Sequence, residues 1–277
     1  MNTLPLEIRI KILDILSTTT KELYELSLVN HDWNLIVSTT ILYKSPALRS
    51  KNQFYAFLNN ITAKNQFYIQ HLDLTFVHEY VHKLDLNYMT NLKYINLSKC
   101  TRLSPFIIFQ LIKNNIKGLQ RLVLANCTIS SDILKSIGQA ANQQQLECLD
   151  LTNTMIQPCI AIDASNHLED MLLLDQNQLR YLNLSYCTWV NSQTIENIAY
   201  GLPKLEIIIL QWCNQIQLKS IIIMVQQLEY LKMLDIQHID TIENKKQVLK
   251  IIKNTRSALL KKIVFTCKKT VTIEVAL

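Results

Sequence analysis

One nine-residue pattern recurs through most of this chain and limits what it can fold into. Four copies are clear: Leu92-Lys-Tyr-Ile95-Asn-Leu97-Ser-Lys-Cys100, Leu119-Gln-Arg-Leu122-Val-Leu124-Ala-Asn-Cys127, Leu179-Arg-Tyr-Leu182-Asn-Leu184-Ser-Tyr-Cys187 and Leu205-Glu-Ile-Ile208-Ile-Leu210-Gln-Trp-Cys213. Looser copies begin at Ile69, Leu146, Leu231 and Leu260. The second apolar position of each copy falls at 72, 95, 122, 149, 182, 208, 234 and 263, in steps of 23, 27, 27, 33, 26, 26 and 29 residues. Such a period suits a unit of one strand and one helix that cannot bury its apolar side alone and must stack on its neighbours. Within a copy the last two apolar residues alternate with other types, as side chains do along a strand. Their leucines are expected inside, and the residues between them on a concave face. The spacing then turns helical: Phe106, Ile107, Gln110 and Leu111 follow Ser104-Pro105, a cap and a proline suited to a first helical position. Ile133, Leu134 and Ile137 follow Ser131-Asp132, and Ile195, Ile198 and Ala199 follow Asn191-Ser192. The long step from 149 to 182 predicts an insertion near Asp163–Asp170. Stacked units of this kind offer a curved surface to a partner rather than a pocket for chemistry.

Four copies carry a cysteine just after the strand: Cys100, Cys127, Cys187 and Cys213. They recur at the repeat interval, and no Cys-x-x-Cys pair occurs, so small buried residues are expected rather than ligands. The chain resembles the cysteine-containing subfamily of leucine-rich repeats, common in F-box proteins. Thr154, Ile239 and Lys268 stand at the cysteine position in the copies that depart from it. The resemblance implies an α/β fold over residues 69–277, a right-handed horseshoe of about seven or eight repeats.

Residues 1–46 do not follow the repeat. Leu4-Pro5-Leu6-Glu7-Ile8 leads to Ile12, Leu13 and Leu16, and a second stretch gives Leu23, Leu26, Val29, Trp33, Ile36 and Val37. Spacings of three and four residues predict short amphipathic helices, with Ser17-Thr-Thr-Thr20 offering a cap for the second. The ordered set Leu4, Pro5, Glu7, Ile8, Ile12, Leu16, Leu26, Val29, Trp33 resembles the F-box, departing mildly at Asn30 and His31. That resemblance implies a three-helix module that docks on a Skp-type adaptor, which joins a cullin and a RING subunit of a ubiquitin ligase. Leu4, Pro5, Glu7, Ile8, Ile12, Leu26, Val29 and Trp33 are then the adaptor-binding set. The plainer alternative is an apolar helical cap for the first repeat. Residues 47–68, with Phe54, Phe57, Leu58 and Ile61, are expected to form a helical linker.

Other functions find little support. Three glycines and no Gly-x-Gly-x-x-Gly or Gly-Lys-Ser/Thr argue against nucleotide folds. Glu7, Arg9, Lys11 and Asp14 interrupt the apolar start, unlike a signal peptide, and no apolar run is long enough for a membrane span. Seven cysteines without secretion suggest a reducing compartment, cytoplasmic or nuclear. The net charge of +6 includes a late run, among it Lys246, Lys250, Lys253, Lys261 and Lys262, read as a solvated face. Asp73, Asp150 and Asp235 at predicted concave positions argue against a groove that tracks phosphates. His78-Glu79-Tyr80-Val81-His82 matches a zinc-hydrolase motif, but Asp85 and Tyr88 replace its continuation, so a polar loop or outer helix is expected. No cofactor and no catalytic residue is predicted.

The expected function is a non-catalytic substrate receptor of a Skp–cullin–F-box ubiquitin ligase, holding a protein target for ubiquitin-dependent degradation. A non-degradative scaffold is the alternative, and a zinc hydrolase a remote one. The target is expected on the later repeats, where the concave positions turn larger and more apolar: Tyr181, Ile207, Ile209 and Met233, with Tyr186, Trp212 and His238 before the turns.

Overall fold

Alternation along each short strand puts one aliphatic residue per repeat on the same side, and the parallel pairing aligns them. The computed structural model describes residues 5–16, 20–37, 42–61, 63–83, 86, 88–142, 145–157, 178–242, 245–267 and 271–276. Its strands are β1 (His71–Asp73), β2 (Tyr94–Asn96), β3 (Arg121–Val123), β4 (Thr128–Ile129), β5 (Cys148–Asp150), β6 (Met155–Ile156), β7 (Tyr181–Asn183), β8 (Ile207–Ile209), β9 (Met233–Ile236), β10 (Lys262–Cys267) and β11 (Val271–Ala276). β1, β2, β3, β5, β7, β8, β9, β10 and β11 form one nine-stranded sheet in that order. Every pairing is parallel except β10 with β11. Strands β4 and β6 pair separately. Leu72, Ile95, Leu122, Leu149, Leu182, Ile208, Leu234 and Ile263 lie side by side in register, all buried. All eight strands predicted from the repeat are present in the predicted register. Not every open-face position is exposed, however: Val123, Asp235 and Val264 are buried there.

Helices cover the other side of the sheet. They are α7 (Pro105–Asn115), α8 (Ser131–Asn142), α9 (Ser192–Gly201), α10 (Leu218–Gln227) and α11 (Lys245–Asn254), and α7 packs on α8, α9 on α10 and α10 on α11. Ser104 Oγ caps α7, with Pro105 in the first turn. Asn191 and Thr194 close a reciprocal capping box on α9. The buried residues of α7 are Ile108, Leu111, Ile112 and Asn115, whereas Phe106 and Ile107 face solvent. The face expected from Phe106 and Ile107 is therefore one step out of phase. Asn115 is a polar residue in the core with every group used. Its Oδ1 accepts from Leu92 N–H at 2.6 Å, and its Nδ2 donates to the Met89 and Leu111 carbonyls at 2.6 and 2.8 Å.

The repeat cysteines stitch one unit to the next. The thiols of Cys127, Cys187 and Cys213 donate to the carbonyls of Leu97, Leu151 and Leu184 in the preceding repeat, at 3.0, 2.9 and 3.1 Å. Thr154, at the cysteine position of its own repeat, donates instead to the Leu151 carbonyl at 2.9 Å. Burial pushes the thiols of Cys127 and Cys213 up to about 11 and about 12, so both stay protonated as the hydrogen bonds require.

The first helices, α1 (Leu6–Leu16), α2 (Thr20–Ser27) and α3 (His31–Ile36), enclose a small core of Leu13, Trp33, Ile36 and Val37, distinct from the solenoid core. Asn30 caps α3 by accepting from Trp33 N–H at 3.0 Å, which accounts for the departure at that position: a cap is needed and Asn serves. After α4 (Leu42–Lys44) come α5 (Lys51–Asn60) and α6 (Ala63–Gln66). Leu48, Phe54 and Phe57 belong to the solenoid core, so α5 covers the first repeat. A capping role thus falls to α5 and leaves α1–α3 free of it. Leu4, Ser17 to Thr19, the insertion near Asp163–Asp170 and Lys268 lie outside the described residues.

His78 sits in a turn and His82 in a 3-10 helix (Val81–Lys83). The zinc reading requires one α-helix to put both rings on one face, and that helix is not formed. His78 Nδ1 instead lies 2.8 Å from the Thr75 carbonyl. Among the described residues no three His, Cys, Asp or Glu side chains gather as a metal site.

Leu182→Ala should lower the free energy of unfolding by about 2–5 kcal/mol in urea titrations. A cost below about 1 kcal/mol would place Leu182 outside the packed row. Cys127 and Cys213 should resist alkylation in the native protein and react only on unfolding, as peptide mapping after pulse labelling would read.

Candidate interaction surfaces

The N-terminal module turns apolar residues outward. Pro5, Ile8 and Val29 are exposed, and Ile12 and Leu26 are half-buried. Glu7 lies in α1, but its side chain is outside the described set. Trp33 is a correction to the expected contact set: it is only 6% exposed and holds the three helices together from inside. Four exposed apolar residues were not anticipated: Ile15, Tyr24, Leu28 and Leu35. Ile8, Ile12 and Ile15 follow at i, i+4 and i+7, the spacing of one helix face, which was the available signal. Arg9 reaches Asp32 at 3.8 Å and ties α1 to the start of α3.

The open face of the solenoid is organised in columns, one residue per repeat. Tyr181, Ile207 and Met233 lie in register and are half-buried, with Lys262 next in the row. Two positions along, Asn183, Ile209, Asp235 and Val264 make a second row. The Tyr181 phenol is raised, chiefly by burial and then by the Asp150 charge. One position before the first row, Glu206 bridges Arg180 Nη1 at 2.9 Å and Lys232 Nζ at 2.6 Å. The Lys232 hydrogen bond is the main cause that lowers the Glu206 carboxyl.

The aspartates of this face are turn formers. Asp73, Asn96, Asp150, Asn183 and Asp235 each accept, through Oδ1, the backbone N–H two residues on, at 2.9 to 3.2 Å. The second oxygens of Asp73, Asp150 and Asp235 accept amides of Asn96, Asn183 and Gln211. Their charge is used inside the fold.

In six successive repeats the residue before the cysteine position has a left-handed backbone. Lys99, Asn126, Asn153, Tyr186, Trp212 and His238 have φ of 66, 59, 51, 62, 61 and 57°. This conformation turns the chain off the strand and aims the backbone N–H at the next repeat. Asn126 donates to the Thr152 carbonyl at 2.8 Å, Tyr186 to Gln211 at 2.8 Å and Trp212 to Gln237 at 3.1 Å. In the middle repeats the column is a polar ladder, with Asn153 Nδ2 donating to Asn126 Oδ1 at 2.8 Å. In the later repeats it is aromatic. Tyr186 stacks on Trp212 with centroids 5.8 Å apart and planes at 17°, and Trp212 on His238 at 4.4 Å and 18°. Tyr186 and Trp212 stay 47% and 44% exposed rather than folding over the turn.

Trp33 is buried, Trp189 half-buried with its Nε1 bonded to the Thr154 carbonyl at 3.1 Å, and Trp212 exposed. Acrylamide quenching of tryptophan fluorescence should therefore fall sharply in Trp212→Phe. Unchanged quenching would mean that the ring is covered.

Comparison with known proteins agrees with both parts. Residues 1–49 match the F-box-like family model. F-box/LRR-repeat protein 4 of Bos taurus is 31% identical over 127 residues, 46% of this chain and 19% of that protein. The chain thus aligns with under a fifth of this relative's length. The Rad7 and Elc1 complex of yeast contains a similar fold, with 13% identity, a TM-score of 0.52, and coverage of 88% of this chain and 69% of that one. The chain thus joins an F-box-like domain at residues 1–49 to a leucine-rich-repeat solenoid, the architecture that the F-box/LRR-repeat relative's name describes.

Proposed function

We propose that the chain is the substrate-recognition subunit of a Skp–cullin–F-box ubiquitin ligase, acting without a catalytic residue of its own in the cytoplasm or nucleus. The observation that carries this reading is the N-terminal module itself. It matches the F-box-like model, closes its own core around Trp33, and leaves Ile8, Ile15, Leu28, Val29 and Leu35 facing outward, while α5 covers the solenoid. Outward apolar side chains on a module with a closed core serve a docking partner, here a Skp-type adaptor bound through Leu4, Pro5, Glu7, Ile8, Ile12, Leu26 and Val29. The repeats supply the second surface, with Tyr181, Tyr186, Ile207, Ile209, Trp212 and Met233 as the target-binding set. Bringing both partners onto one chain raises the effective concentration of target lysines near a ubiquitin-charged enzyme. A chain in the yeast Rad7 and Elc1 complex shares the fold and is itself found in an assembly.

Co-expression with a Skp-type adaptor and cullin tests the reading. The wild-type chain should co-purify with both. Val29→Asp places a charge on the docking face and should weaken adaptor binding by about 30-fold or more, the loss of one interface hot spot. Leu4→Ala with Pro5→Ala should act likewise, with the circular dichroism spectrum unchanged. Adaptor binding that survives both variants would overturn the assignment. Adaptor binding without loss of any cellular partner's stability would favour a non-degradative scaffold.

A further inference from the structure

The aromatic ladder is more than the fold requires. A left-handed backbone costs a bulky residue about 1–2 kcal/mol, and among residues with a side chain asparagine tolerates it best. The chain uses asparagine at this column in two repeats, Asn126 and Asn153, and joins them by a side-chain hydrogen bond. At Tyr186, Trp212 and His238 it carries rings instead, two of them exposed over nearly half their surface. Strain at a solvent-facing position, where a better residue is used next door, points to use by a ligand.

The surroundings define that ligand. The ladder lies in the turns just after β7, β8 and β9, and the row of Asn183, Ile209 and Asp235 separates it from the half-buried row of Tyr181, Ile207 and Met233. At the other end of these strands lie Arg180 and Lys232, which share the single carboxylate of Glu206, and then the exposed Lys261. The carboxylate of Asp235 is buried and holds the amides of Gln211 and Gln237. The open face of these repeats is thus bordered by stacked rings at one end of the strands and by excess positive charge at the other, with the Tyr181 row next to the charge. Rings at 4.4 and 5.8 Å leave no gap for a nucleobase between them, which disfavours a single-stranded nucleic acid.

We infer that the later repeats bind an extended acidic protein segment that crosses this face, with a large apolar side chain on Tyr181, Ile207 and Met233 and its far end at the Tyr186–Trp212–His238 ladder. Its flanking carboxylates face Arg180, Lys232 and Lys261. At about 3.3 Å per extended residue the reach from the Tyr181 row to the ladder takes roughly five residues, so the motif is short. The inference rests on the receptor reading only in taking this segment to be the target's.

Short random peptides displayed on phage and selected on the full chain test it. The selected peptides should be net negative, with Leu, Ile, Phe, Tyr or Trp flanked by Asp or Glu. Replacing Tyr186→Asn, Trp212→Asn and His238→Asn together extends the existing asparagine ladder. It should weaken the selected peptides by roughly tenfold or more, without lowering the thermal midpoint of folding by more than a few degrees. If that variant unfolds, Lys232→Glu with Lys261→Glu gives the same test from the other border and should cause a comparable loss. Val29→Asp should leave peptide affinity unchanged. Enrichment of basic or neutral peptides, no enrichment at all, or full affinity in the folded variants would overturn the inference. So would ladder-dependent binding of oligouridine, or ladder-dependent self-association in sedimentation. Adaptor binding measured on the same preparations separates this failure from a failure of the receptor reading.

Discussion

The structure depends on one repeated burial: an aliphatic residue at the middle of each strand, stacked in register from Leu72 to Ile263. A three-residue strand has too little surface to be stable alone, and strands lie only about 4.8 Å apart. Each unit therefore gains its core from the next, and losing one member exposes both neighbours. Such a chain needs a lid at its first repeat. Leu48, Phe54 and Phe57 provide it, from a segment that would otherwise read as a connector.

Once the register is fixed, every other position becomes a column with a single task. One column is Asx turns, where a side-chain oxygen replaces a backbone partner just as the strand ends. A second is left-handed turns, and a third is thiols or Thr154, which return a hydrogen bond to the carbonyl of Leu97, Leu151 or Leu184. Function can be written into such a scaffold by changing the residues of one column while its backbone stays as it is. The change from Asn126 and Asn153 to Tyr186, Trp212 and His238 is of that kind, and it comes in the same repeats where the first row of the open face turns from Cys148 to Tyr181, Ile207 and Met233.

The strands were legible because a period of two with leucine at fixed offsets allows one register: a slip of one residue would expose the whole row. The helix at Pro105 was legible as a helix but not in its phase. Phe106, Ile107, Ile108 and Phe109 are apolar on every side, so spacing alone cannot choose the buried face. Trp33 fitted a docking motif by type, and only packing shows that it is interior. Asp73, Asp150 and Asp235 read as surface charge, although Asp-x-Thr at 73 and 150 and Asn-x-Ser at 96 and 183 were the sign of turns. The aromatic residues before Cys187 and Cys213 stood out, yet their stacking follows from a backbone angle. The asparagines at 126 and 153, in the same column, already hinted at that angle. The motif at His78 failed because two short 3-10 helices do not hold the spacing that an α-helix would.

The central claim is that two separate surfaces of this chain serve two partners. Hydrogen–deuterium exchange with and without a Skp-type adaptor tests it most directly. Protection should appear in the helices between Leu6 and Ile36, while amides between Tyr181 and His238 exchange at their free rate. Protection centred on the repeats, or none in the first three helices, would contradict the account.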